Sequence, residues 1–212
     1  MARTGKVMGK RLAYWGLLLV LAIPGVARGA EFSALMLVTD GAKTMPGKIY
    51  VSDGKMRQEF LDKGGQTVTI VRPDQKVVWV ILPWQRIYLE TPLKTELPGQ
   101  FIQIPTRAMG RRLVGPERVN GYEAEKYEVS VPVGGSLEKQ TYWVATKLGL
   151  PIKMECRERH FSLEYQSIRE GKVPEQLFSN QFLKNRSDMK QISYWPLITP
   201  ILNHGRMLFR VL

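Results

Sequence analysis

Apolar and polar residues alternate in short runs along most of this chain. Phe32, Ala34, Met36 and Val38 alternate with Ser33, Leu35, Leu37 and Thr39. Ile49 and Val51 flank Tyr50, Met56, Gln58 and Phe60 alternate with Arg57 and Glu59, and Val68 and Ile70 alternate with Thr67 and Thr69. A period of two sends successive side chains to opposite faces, so these runs predict half-buried antiparallel strands. Turn formers separate them: Asp40-Gly41, Asp53-Gly54, Lys63-Gly64-Gly65 and Arg72-Pro73-Asp74-Gln75. Each spacer suits a hairpin. The first half therefore reads as a meander of about six strands, ending with Val77–Leu82 and Arg86–Glu90 around Pro83-Trp84.

From Thr91 to Met109 the register is lost, and Pro92, Pro98 and Pro105 punctuate the stretch. Proline cannot serve a central strand. An irregular crossing with one or two short helical turns, lying over the sheet, is expected there. Alternation returns at Arg111. Gly115-Pro116, Asn120-Gly121, Gly134-Gly135 and Gly149-Leu150-Pro151 mark turns. Between and after them fall Tyr127, Val129 and Val131, then Tyr142-Trp143-Val144, then Ile152, Met154 and Cys156, then Phe161, Leu163 and Tyr165. These make about five more strands, in the rhythm of an all-β barrel or sandwich. Glu175 to Phe182 reads as a short helix or a terminal strand. Beyond Asn185 the chain has neither period, and two readings stay open: a poorly ordered tail, or sequence out of its selected frame.

The first 29 residues differ in kind. Arg3, Lys6, Lys10 and Arg11 precede a nearly unbroken apolar run from Leu12 to Ile23, which Pro24-Gly25 ends; Ala27-Arg28-Gly29 supplies small residues for cleavage. This is the three-part pattern of a secretory signal peptide, cut near Gly29–Ala30. The apolar run falls short of the roughly 20 residues that a membrane span needs. Cys156 is the single cysteine, so neither an internal disulfide nor a lipid-bearing cysteine after the leader is expected. Roughly 180 mature residues suffice for one domain with a sizeable core. The formal net charge is +12, and five basic residues leave with the leader, which leaves +7. The charges are scattered, so a solvated surface rather than nucleic-acid binding is expected.

Catalytic chemistry is sparse. The chain's histidines are His160 and His204, with no second ligand at zinc spacing. Cys156 falls on the inward side of its run, where a free cysteine acts as a small hydrophobe. No Gly-rich loop opens a helix, and no Gly-x-Ser-x-Gly occurs. The expectation is a protein that is not an enzyme and carries no cofactor or metal. What stands out is a long apolar, Met- and aromatic-rich inward list. It includes Met36, Met56, Phe60, Ile70, Trp79, Tyr127, Trp143, Met154, Phe161 and Tyr165. Plain core packing and the lining of an apolar cavity both account for it.

The motif order carries a resemblance. Phe32-Ser33-Ala34 is followed by Gly47-Lys48-Ile49-Tyr50-Val51, Lys55-Met56-Arg57-Gln58-Glu59, and Thr69-Ile70-Val71-Arg72-Pro73-Asp74 with Val77-Val78-Trp79-Val80. Later come Asn120-Gly121-Tyr122-Glu123-Ala124-Glu125-Lys126-Tyr127, Tyr142-Trp143-Val144-Ala145 and Leu148-Gly149-Leu150-Pro151-Ile152-Lys153-Met154-Glu155. Over Phe32 to Phe178 the chain resembles the exported LolA-like proteins, the outer-membrane lipoprotein-sorting proteins among them, and is close to the DUF4412 group. The resemblance implies an incomplete, strongly curved antiparallel β-barrel of about eleven strands, mainly β, with short helices over its concave side. It also implies a periplasmic, monomeric, non-catalytic carrier of a lipid or of the acyl chains of a lipoprotein. On this reading Met36, Met56, Phe60, Ile70, Trp79, Tyr127, Trp143 and Met154 line the cavity. The division is a signal peptide over 1–29, the half-barrel over 30–183 and a tail over 184–212. The alternative function is an envelope sensor or protein-interaction module using the same concave surface.

Overall fold

Asp53 and Gly54 have φ of 49° and 77°, and Asn120 and Gly121 have φ of 50° and 85°. Two consecutive left-handed residues make the turn whose twist matches that of a β-hairpin, which is why Asp-Gly and Asn-Gly stand there. The computed structural model of the chain describes residues 29–62, 65–93, 103–133, 135–179 and 189–192. All but the last residue of the expected leader lies outside them, as do 94–102 of the proline-rich crossing and most of the segment after Asn185.

The first meander runs β1 (Phe32–Asp40), β2 (Lys43–Ser52), β3 (Lys55–Asp62), β4 (Gly65–Arg72), β5 (Val77–Leu82) and β6 (Ile87–Pro92). The second runs β7 (Met109–Val119), β8 (Tyr122–Val133), β9 (Ser136–Ala145), β10 (Leu150–Cys156) and β11 (Phe161–Glu170). A short β12 (Lys190–Ile192) pairs in parallel with β6. The sheet order is β12-β6-β5-β4-β3-β2-β1-β11-β10-β9-β8-β7, so β1 joins the two meanders and the sheet curls without closing. This is the mainly β, incomplete barrel that the sequence predicts. The irregular crossing is shorter than expected. Thr91 and Pro92 finish β6, and Met109 and Gly110 begin β7. Both are sheet-edge or near-edge strands, where proline and glycine are tolerated.

Register decides which side chains share a face. Phe32, Val51, Met56, Val71 and Val78 stand in one cross-strand row. Leu163, Met154, Tyr142 and Tyr127 stand in another. With Met36, Val38, Ile49 and Tyr165 they belong to the inner face, where one large buried cluster spans both meanders. A second cluster lies on the outer face of β4 and β5: Val68, Ile70, Trp79 and Ile81, packed against Val173 and Phe178.

The segment from Val173 to Ser179 is thus a strap over the outer face, with a 3-10 turn at Glu175–Phe178. Three cations hold it. Arg72 Nη1 donates to the Phe178 carbonyl (2.9 Å), Arg57 Nη1 donates to the Leu177 carbonyl (3.2 Å), and Lys55 Nζ reaches Glu175 (2.5 Å). Arg72 is itself oriented by Asp74, through Nε at 2.8 Å and Nη2 at 2.6 Å. The second meander has a tie of its own. Asn120 Nδ2 donates to Glu164 and to the Tyr165 carbonyl, both at 2.8 Å, beyond the point where β10 stops pairing with β11.

The strap can be tested at its anchor and at its clamp. Phe178→Ala empties a fully buried site and is expected to cost roughly 3–5 kcal/mol in urea unfolding, with Trp79 emission moving to the red. The hydrogen bond from Arg72 holds the Asp74 carboxyl below its ordinary value of 3.8. A lowered folded-state value stabilises above the unfolded value and is lost as pH falls through the folded one. The difference in urea midpoint between the natural chain and Asp74→Asn is therefore expected to hold from about pH 7 to about pH 5 and to shrink steadily toward about pH 2.

Candidate functional site

The inner wall is built by simple alternation. On β1, Met36 lies opposite Tyr165 of β11 on one side and Gly47 of β2 on the other, and Gly47 lies opposite Phe60 of β3. Gly47 matters because it has no side chain. A Cβ there would sit 2.8 Å from the Glu59 carbonyl oxygen, closer than real contacts allow, and 3.0 Å from the Phe60 ring, tighter than nearly all of them. Phe60 therefore occupies the place that a side chain at 47 would take.

Met36, Met56 and Met154 are fully or almost fully buried on this wall. Polar groups stand among them: Thr67 and Thr69 lie opposite Phe60 and Gln58, and Gln140 and Glu138 opposite Val129 and Val131. Glu138 lies 3.5 Å from Arg159 and accepts from the Cys156 thiol at 3.7 Å. Gln58 Nε2 donates to the Met36 sulfur (3.8 Å), and the Tyr142 hydroxyl donates to Gln140 Oε1 (2.7 Å). The Tyr127 hydroxyl donates to Glu125, and the Arg111 guanidinium lies 4.1 Å from the centre of the Tyr127 ring. Tyr165 is completely buried and its hydroxyl has no hydrogen-bond partner among the described residues. Burial pushes that hydroxyl's pKa up, so it stays a neutral donor. Cys156 is buried too, with its thiol raised by burial above all, which fits the inward, unreactive reading.

Of the eight residues expected to line a cavity, Met36, Met56, Phe60, Tyr127 and Met154 stand on inner-face rows. The other three do not. Ile70 pairs with Arg57 and Trp79, and all three point outward, where Ile70 and Trp79 pack under the strap. Trp79 Nε1 donates to Glu90 (2.8 Å). Trp143 pairs with Lys126 and Lys153, on the face opposite Tyr142 and Met154. The two ammonium groups cover its ring at 4.9 and 4.6 Å. For Ile70 the alternation is clean but its apolar side is the outer one, while Thr67 and Thr69 take the inner positions opposite Phe60 and Gln58. For the two tryptophans the reason is different. Where both faces of a strand are covered, apolar residues appear at odd and even positions, and alternation no longer identifies the inside. The unbroken run Val77–Leu82 is the sequence signal of such two-sided burial, and adjacent Tyr142-Trp143 can send only one ring inward.

A feature that sequence reasoning missed is a groove of about 420 Å³ lined mainly by outer-face residues, Leu35, Pro46, Lys48, Glu59, Leu61 and Gln66, with Trp84 and with Gly47 and Phe60 of the inner rows at its border. Leu61 and Trp84 are 66% and 73% exposed. A neighbouring hollow of about 320 Å³ shares Leu35 and Lys48 with it. Trp84 sits in the β5–β6 turn, where the sequence marks only a turn.

No protein-family model matches the chain, so membership of the DUF4412 group is not shown. No curated protein matches it in sequence. Solved structures match it in their backbone arrangement. An uncharacterized conserved protein from Thermus thermophilus is 14% identical with a TM-score of 0.53, over 78% of this chain and 91% of that one. A chain of the Pseudomonas aeruginosa MucA/MucB complex is 18% identical with a TM-score of 0.47, over 70% of this chain and 55% of that one. This chain thus spans about half the length of that neighbour. A domain assigned to outer-membrane lipoprotein sorting in Vibrio parahaemolyticus is 14% identical with a TM-score of 0.36, over 73% and 92%. The Thermus match concerns the fold alone, and agrees with the curled sheet described above.

Gly47→Ala forces the β2–β3 backbone or the Phe60 ring to move. The expected cost is roughly 1–3 kcal/mol, measured by urea unfolding.

Proposed function

We propose that this protein is a non-catalytic envelope protein that holds a lipid, or the acyl chains of an acylated protein, against the inner face of its curled sheet. The observation that carries the reading is the chemistry of that face. A buried apolar cluster spans both meanders and is set with Met36, Met56 and Met154, with Gln58, Thr67, Thr69, Gln140 and Glu138 interspersed in the same rows. Methionine is unbranched and polarizable and adapts to flexible apolar shapes. Eight strands already make an interior that side chains can fill, and this sheet has more. Each CH₂ withdrawn from water is worth about 0.8 kcal/mol, so a long acyl chain needs few polar contacts. The signal-peptide pattern supports delivery to the periplasm, and the motif order supports a part in outer-membrane lipoprotein sorting.

A second reading is an envelope sensor or interaction module. The exposed Leu61 and Trp84 beside the outer groove favour it, because exposed aromatic and aliphatic anchors suit a protein partner.

Native mass spectrometry of the protein recovered from the envelope is expected to show bound lipid, and a fluorescent fatty acid is expected to bind and to be displaced by it. Met56→Gln is expected to weaken that binding about tenfold, or 1.4 kcal/mol, while Leu137→Ser, at an exposed position of β9, leaves it unchanged. A lipid-free protein that takes up no fatty acid overturns the lipid reading. Recovery of one defined envelope protein and no lipid supports the second.

A further inference from the structure

Tyr165 is the exception on the inner wall. Tyr142 has its hydroxyl paired with Gln140, and the Gln58 amide reaches the Met36 sulfur. Tyr165 is equally buried, and its hydroxyl has nothing to donate to among the described residues. Its neighbours are apolar: Met36 lies directly across on β1, and the Phe32 ring is 6.3 Å away and tilted by 48°. A buried hydroxyl without a partner loses its hydrogen bonds to water and regains none. Phenylalanine fills comparable inner positions on this same face, at Phe32 and Phe161, so packing alone does not call for the hydroxyl.

We propose that Tyr165 is the polar contact of the ligand site and donates its hydroxyl to the carbonyl oxygen of an acyl ester or amide, whose hydrocarbon chain lies on the surrounding apolar wall. The inference rests on the lipid-holding reading above and adds the ligand's chemical class. The chemistry follows from what the site lacks. One neutral donor in an apolar wall satisfies one uncharged carbonyl. It does not compensate a buried carboxylate, whose desolvation is far more costly. The site therefore favours esterified or amide-linked chains over both free fatty acids and plain hydrocarbons. An acyl glycerolipid and an acylated protein share this carbonyl.

Three probes of equal chain length test it on the whole exported protein: a pyrene-labelled fatty acid methyl ester, the free pyrene-labelled acid, and an alkylpyrene. The natural protein is expected to bind the ester about tenfold more tightly than the alkylpyrene or the acid. Tyr165→Phe is expected to lose that preference, to bind the alkylpyrene as before, and to unfold at the same temperature or higher. With a ¹³C-labelled ester carbonyl, the C=O stretch is expected to shift to lower frequency on the natural protein and not on the variant. Equal binding of ester and alkylpyrene by the natural protein overturns the role of Tyr165 and leaves the lipid reading standing. A Tyr165→Phe variant that unfolds earlier also overturns it, because the hydroxyl is then paired within the protein itself. If no probe binds, the lipid reading fails and this inference falls with it.

Discussion

The pairing of β1 with β11 is the interaction on which the rest of this structure depends. It joins residues 32–40 to residues 161–170, from opposite ends of the described domain, and makes one sheet of two meanders. Every other antiparallel pair in the described residues links neighbours in the chain. This one must close a loop of more than a hundred residues, so it bears most of the topological cost of folding. Its register also sets the inner wall. Met36 meets Tyr165, and Val38 meets Leu163, only in this alignment. A slip by one residue would turn the whole apolar set of β1 outward. The register shift between Ser33 and Leu35 lies outside these pairs, where β11 bends at Ser167 with φ of 50°. The backbone bond from Gly171 to the Glu31 carbonyl, at 3.1 Å, then fastens the end of the seam.

With the inner face set, the outer face remains to be shielded, and the two meanders do this differently. On β4 and β5 a strap of chain covers it, held by two buried or half-buried arginines that donate to its carbonyls. Those carbonyls would otherwise lie over an apolar surface with no partner, so the arginines satisfy them and orient the strap together. On β8 to β10 there is no strap among the described residues, and the stems and ammonium groups of Lys126 and Lys153 shelter the Trp143 ring. Long cationic side chains can cover apolar surface while keeping their charge in water. A basic composition, which sequence reading assigns to a solvated surface, thus has a specific structural use here.

This division explains what was legible in the sequence. Strand positions were, because alternation and Asp-Gly or Asn-Gly turns are local signals: Val77–Leu82 is recovered to the residue, and the turns at Asp53-Gly54 and Asn120-Gly121 hold. The inner placement of Met36, Met56, Phe60, Tyr127 and Met154 was legible for the same reason. Ile70, Trp79 and Trp143 were not, because their faces depend on what covers the strand from outside. For Ile70 and Trp79 that cover comes from about a hundred residues away, as the separation of 106 between Arg72 and Phe178 shows. Arg57 reads in the sequence as a polar residue alternating with Met56 and Gln58 and as part of the Lys55–Glu59 motif of the resemblance; its bond to Leu177 is a tertiary fact. Tyr165 was legible as inward, but the state of its hydroxyl depends on neighbours that no periodicity reveals.

The same reasoning ranks the two candidate surfaces. A groove that binds a small ligand tightly has to remove most of that ligand from water. The outer groove borders the paired strands at Leu35 and Leu61 but is also lined by Lys48, Glu59 and Gln66, whose polar ends face a ligand lying there. Such a surface suits a partner that brings its own rim of polar contacts, as proteins do. The inner wall is the reverse. Several of its polar groups are paired within the protein, Gln58 with Met36, Tyr142 with Gln140 and Glu138 with Arg159, whereas the buried Tyr165 hydroxyl has no partner among the described residues. A chain of CH₂ groups gains by burial alone on such a wall, and its one carbonyl meets the one donor left over. On the proposed reading the two surfaces therefore suit different molecules, the inner one an acyl chain and the outer one a protein partner.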